Sequence, residues 1–119
     1  MYQLRQFMND LTGIVKSEYE LTDEEFNYSH SESATDARII VVGVLVRDGW
    51  GELEISKSLG WSQQRVNWLK NHWDDRMKRR GFKLMWDGIV DLLFYDFFHF
   101  CHIDKFFSSS VNINRDAKV

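Results

Sequence analysis

A chain of 119 residues with 44% hydrophobic and 15% aromatic side chains carries enough apolar material for one domain with a real core, which excludes wholesale disorder. Its formal net charge of −3 excludes a uniformly basic nucleic-acid glove, so any polyanion site must be a local patch. The single cysteine, Cys101, excludes an internal disulfide. With no secretory leader in MYQLRQFMNDL, and with the longest apolar run interrupted by Asp91 and Asp96, a cytoplasmic protein that does not enter the membrane is expected.

Leu4, Phe7, Met8, Leu11, Ile14 and Val15 recur at spacings of three and four, which predicts a first helix with one apolar face. A weak break follows over Ser17 to Glu20. Thr22 and Glu25 fit a capping box at the start of a short helix carrying Phe26. The small polar run Ser29 to Ser33 reads as a loop. Thr35 or Asp36 then caps ARIIVVGVLVRD, apolar nearly all round and therefore central. Its β-branched residues would also suit a strand; the caps favour helix.

Asp48-Gly-Trp-Gly51 reads as a turn, and Glu52 to Ser58 as a short helix with Leu53, Ile55 and Leu59 partly inward. Gly60 ends it. Ser62 caps a long helix predicted to reach about Arg80, with Val66, Leu69, Trp73 and Met77 on its apolar side and Gly81 as its stop. FKLMWDGIVDLLFY fits either a hairpin around Asp87-Gly88 or a helix starting near Trp86 or Asp87; length and periodicity favour the helix. A single helical domain over residues 1–107 and a flexible tail over 108–119 are the resulting expectation.

The stretch LEISKSLGWSQQRVNWLK meets the mechanical demands of a helix-turn-helix. Ile55 is the anchor, Ser56 the small residue at the crossing, and Leu59 the last apolar contact. Gly60 is the turn residue able to adopt positive φ, and Trp61 plugs the corner. Ser62 caps the second helix, whose Val66 and Leu69 point inward. Ser62, Gln63, Gln64, Asn67 and Asn71 are then left on the outer flank as candidate base readers, because Gln and Asn pair bidentately with adenine in the major groove. Trp68 shares that side, where it would meet a thymine methyl or a sugar edge, or cover the N-terminal segment. Lys57, Arg65, Lys70, Arg79 and Arg80 are the candidate phosphate contacts, in a segment where only Asp74 and Asp75 oppose the cations.

Asp48-Gly49, Glu54-Ile55-Ser56, Leu59-Gly60-Trp61-Ser62 and Arg65-Val66 match in order the pattern of a known family. The chain resembles the promoter-reading C-terminal domain of bacterial sigma factors over less than half its length. The helix preceding the helix-turn-helix, with Asp36-Ala37-Arg38, is similar, more weakly, to the DNA-binding domain of bacterial replication initiators. There Ser62-Gln63 stands where that family has an Asp-His pair. The resemblance implies a mostly α-helical fold with a tri-helical helix-turn-helix core, flanked by N- and C-terminal helices. It also implies double-stranded DNA as partner and a role as transcription regulator; the small size and absence of a polymerase-binding domain point to one of phage or mobile-element kind.

Other chemistry finds less support. His99, Cys101, His102 and Asp104 suggest a metal, but only the distant His30 and His72 remain to complete a zinc set, so no metal or other cofactor is expected. Glycine-rich phosphate loops, a nucleophile elbow and an oriented Cys-His pair are lacking, and the carboxylate pairs Asp74-Asp75 and Glu24-Glu25 do not face each other on a helix, so catalysis is not expected. The aromatic run Phe94, Tyr95, Phe97, Phe98, Phe100, Phe106 and Phe107 reads as core, or in part as a homodimer or partner surface. The acidic Glu18, Glu20, Asp23, Glu24, Glu25, Glu32 and Asp36 read as a solvated face, or as a dock for a basic partner such as polymerase, or as a mask over the DNA site. They favour the rival reading, a protein-interaction module that binds polymerase or another host protein without reading DNA.

Overall fold

A computed structural model describes residues 4–100, with side chains over 5–94. Among them every regular element is helical: α1 (Leu4–Glu18), α2 (Asp23–Tyr28), α3 (Glu32–Arg47), α4 (Glu52–Leu59), α5 (Gln63–Asn71), α6 (Trp73–Met77) and α7 (Arg80–Phe100). None of these is long and apolar enough to cross a membrane. The proposed tail, Cys101, His102, Asp104 and the last two phenylalanines of the aromatic run lie outside the described residues, as do the side chains of Tyr95 to Phe100.

The centre is α3. Ala34 and every residue from Ala37 to Leu45 are buried, so the helix has no polar face and other elements must cover it on all sides. Helices α1, α2, α4, α5, α6 and α7 all pack against it. It begins earlier than expected. Ser31 is the N-cap, its hydroxyl accepting from Ala34 N at 3.1 Å, so part of the predicted Ser29–Ser33 loop is helix. Thr35, read as a cap, sits inside the first turn and donates its hydroxyl to Ser31 O. Serine caps as well as threonine does, and the earlier start adds a turn to a buried helix.

Helix α1 buries Phe7, Met8, Leu11 and Val15 as the spacing predicts. In α2 the capping box is complete, Thr22 Oγ1 accepting from Glu25 N at 3.1 Å and Glu25 Oε1 accepting from Thr22 N at 2.9 Å. The one polar side chain buried in α3, Arg38, donates to Phe26 O and Ser29 O, each at 2.7 Å. These carbonyls lie at the C-terminal end of α2, where a helix has unpaired acceptors and partial negative charge. The charged donor thereby fastens α2 to α3.

Three expectations about the C-terminal half are corrected. The predicted single helix from Ser62 to Arg80 is broken at His72, whose ψ of −2° is far from the helical value, and again after Met77. The breaks turn the chain back along α3, so that Arg76 pairs with Asp36 and Arg79 with Glu32. Gly81 does not stop a helix; it lies in the first turn of α7. Asp87-Gly88 is mid-helix, so no hairpin forms and the helix starts at Arg80 instead of near Trp86. Burial of Phe82, Ile89 and Leu93, on a helix packed against α1, outweighs a propensity cost of about 1 kcal/mol per glycine.

A close approach explains one glycine. A Cβ on Gly43 would lie 2.6 Å from Trp73 Cδ1 and 3.0 Å from Trp86 Cζ3. Trp73 sits in this notch, T-shaped to Trp86 with ring centroids 5.1 Å apart, under the Arg47 guanidinium 3.4 Å from its ring centroid. Gly43→Ala is therefore expected to destabilise the fold by about 1–3 kcal/mol through overpacking. Gly88→Ala, with open space around the added methyl, is expected to be neutral or to stabilise by up to about 1 kcal/mol. Urea midpoints followed by tryptophan fluorescence measure both; equal shifts would refute the notch.

Candidate nucleic-acid interface

Helices α4 and α5 meet at a corner built from residues 55 to 66. Gly60 adopts φ +73°, in the left-handed region, and donates its N–H to Ser56 O at 2.9 Å to close α4. Ser56 does more than keep the crossing small: its hydroxyl donates to Trp61 O at 2.6 Å. Trp61 is buried, with its ring 5.6 Å from that of Phe26 and its Nε1 donating to Asn27 Oδ1 at 3.3 Å. Ser62 Oγ accepts from Arg65 N at 3.1 Å and caps α5. Ile55, Val66 and Leu69 are buried beneath the corner. Leu53, expected partly inward, is 52% exposed, because residues two apart on a helix face nearly opposite ways and Ile55 takes the inward one.

The polar flank of α5 is open. Ser62, Gln63, Gln64, Asn67 and Asn71 are all exposed, and no described segment covers them. Trp68 is 46% exposed on the same flank and stacks on His72 with centroids 3.8 Å apart. Part of this flank is already organised. Asn67 Nδ2 donates to Glu52 Oε2 at 3.1 Å, Lys70 Nζ lies 2.5 Å from the same oxygen, and Asn71 Nδ2 donates to Asn67 Oδ1 at 3.1 Å. The Lys70 bond first, and then the Asn67 bond, hold the Glu52 carboxyl below its ordinary value.

The candidate phosphate contacts do not form one patch. Arg65 is half-buried, donating from Nη2 to Asn27 O at 2.7 Å, with its guanidinium 4.7 Å above the Trp61 ring. It locks α2 to the corner and does not face outward. Lys70 is paired with Glu52 and Arg79 with Glu32. The breaks at His72 and after Met77 also carry Arg79 and Arg80 off the α5 axis. Lys57 and Arg80 are exposed and have no ionic partner among the described residues. Lys57 borders a cleft of about 580 Å³ between α1 and α4, and Arg5 lines the same cleft.

Asn27, Arg38 and Glu52 were not visible as site residues in the sequence. Their partners lie on other helices, and no local pattern signals such pairing. Among the described residues no cluster of His, Cys, Asp or Glu is placed to hold a metal ion. Comparison with protein-family models, with curated proteins and with solved structures found no match.

The depressed Glu52 pKa has a sign that can be checked. A carboxylate that ionises more readily in the folded state keeps its contacts above its unfolded-state value and loses them as pH falls through the lower folded value. In an NMR titration the Glu52 carboxyl carbon is expected to show a midpoint below 4.5, with the Asn67 side-chain amide signals moving at the same pH. A midpoint at or above 4.5 would refute the contact.

Proposed function

We propose that α3, α4 and α5 form the tri-helical core of a helix-turn-helix that binds double-stranded DNA sequence-selectively, as a transcription regulator. The observation that carries this reading is the solvent-open amide flank of α5, held outward by the buried corner at Ile55, Trp61, Val66 and Leu69. In this reading the N-terminal half of α5 enters the major groove. Gln63 and Gln64 are free to pair with adenine edges, and Trp68 offers an apolar surface to a thymine methyl. Lys57 and Arg80 serve phosphates. The resemblance to sigma-factor promoter-reading domains supports the same use of the corner, and a dimer would suit two half-sites.

A second reading is favoured by one observation. Arg65, Lys70 and Arg79 are engaged within the chain, and Glu52 sits beside the amide flank. A protein partner such as RNA polymerase would tolerate that charge balance better than a phosphate backbone does.

The test is a fluorescence-anisotropy titration with a random-sequence duplex across a salt series, followed by selection of bound duplexes from the pool. Wild type is expected to bind at low salt and to enrich a defined sequence. Gln63→Ala/Gln64→Ala is expected to lose roughly 1–3 kcal/mol on the enriched duplex and to relax base preference. Lys57→Ala is expected to weaken all duplexes alike and to lower the salt slope by about one. Absence of wild-type binding at low salt transfers the assignment to the protein-interaction module.

A further inference from the structure

The carboxylate of Glu52 is the anion nearest the amide flank that the structure ties to it. It belongs to the first turn of α4, yet both of its partners, Asn67 and Lys70, lie on α5. Its side chain is only 23% exposed, less than an idle surface glutamate would be. Through Asn67 the contact extends to Asn71. One oxygen thus holds the cation of α5 that would meet phosphate most directly, and orients two of its amides.

We infer that Glu52 is a positioning residue that withholds Lys70 from the DNA backbone and fixes the Asn67–Asn71 pair, lowering affinity for DNA in general while sharpening the choice among sequences. The inference rests on the DNA-binding reading and names how that site discriminates. A phosphate contact adds affinity on every sequence alike, because it releases counterions regardless of the bases. A base-edge contact adds affinity only on the right one. Removing a cation from the first set lowers affinity on every duplex alike and leaves the gap between cognate and random duplex unchanged, whereas stiffening amides of the second widens it. The geometry of the contact also suits this role. Asn67 donates one Nδ2 hydrogen to Glu52 and accepts at Oδ1 from Asn71, which leaves the exposed Asn71 with Oδ1 and its second Nδ2 hydrogen unengaged among the described residues. Those are the acceptor and donor that an adenine edge requires.

Glu52→Gln tests this, because the amide keeps an acceptor for Asn67 and removes the charge that holds Lys70. On a random duplex at about 0.1 M salt, Glu52→Gln is expected to bind roughly tenfold more tightly than wild type, with a salt slope steeper by about 0.9. Lys70→Met added to Glu52→Gln is expected to abolish both gains; Glu52→Gln is expected to select a pool as restricted as that of wild type, and Glu52→Ala, which also frees Asn67, a less restricted one. The inference is overturned if Glu52→Gln leaves random-duplex affinity and slope unchanged. It is also overturned if the gain survives in the double variant, since loss of general repulsion would then account for it. Binding by neither wild type nor any variant would instead remove the DNA reading itself, and this inference with it.

Discussion

A helix without a polar face cannot be left half covered, and α3 is such a helix. Its burial from Ala37 to Leu45 obliges the rest of the chain to wrap it, and the single charge inside it decides how. Arg38 is buried among apolar neighbours, where an unpaired guanidinium would be costly. Two carbonyls at the end of α2 satisfy it. That places α2, and α2 in turn supplies Phe26 and Asn27 to the corner below Gly60. The direction of α5 therefore depends on a guanidinium that is itself bonded to α2. The same chain of contacts explains why Arg65 faces inward: Asn27 O and the Trp61 ring are within reach, and charge-assisted bonds to a carbonyl are stronger than contact with water on an open flank.

The charges illustrate how far folded proximity departs from sequence proximity. Between Lys57 and Lys83 the sequence looks like a basic patch. In the fold Lys70 meets Glu52, Arg76 meets Asp36, Arg79 meets Glu32, Lys78 meets Asp75 and Lys83 meets Asp87. The acidic N-terminal third is correspondingly not one solvated face. Glu32 and Asp36, at the start of α3, receive the cations that the turned-back α6–α7 segment brings to them. Asp36 is the deeper of the two, and burial pushes its carboxyl up against the opposing pull of Arg76. The exposed pair Glu32–Arg79 contributes little to stability, because water screens it.

Much of the local structure was legible in the sequence because its causes are local. The apolar spacing of α1, the Thr22–Glu25 box, the left-handed Gly60 and the Ser62 cap each depend on residues within one turn of one another. The corner is the clearest instance, since its anchor, plug and cap all lie within LEISKSLGWSQQRV. What escaped reading depends on distant partners. The break at His72 exists because Trp73 fits the gap left by Gly43 thirty residues earlier, and nothing beside His72 announces it. Gly81 and Gly88 are ordinary stop and turn signals, and only the burial of Phe82, Ile89 and Leu93 against other helices keeps them helical. The candidate interface divides in the same way. Its exposed amides follow from helical periodicity, whereas Glu52, which organises them, is reachable only by crossing from one helix to the next.

The remaining charge balance constrains how such a surface would hold a duplex. A binder that neutralises six to ten phosphates draws most of its affinity from counterion release and loses roughly 10³–10⁵ of it on modest addition of salt. Here Lys57 and Arg80 are the candidate cations left without an ionic partner among the described residues, on a chain of net charge −3. Two such contacts give a slope of only about −2 for one copy and about −4 for two. Affinity on that footing must come mainly from base edges and from shape, and a single copy would discriminate well but hold weakly. Two copies on paired half-sites multiply the base-edge contacts without needing a basic surface. That so few of the candidate phosphate contacts are free among the described residues argues, independently of any resemblance, that duplex binding through this surface would be selective and would gain most from a second copy.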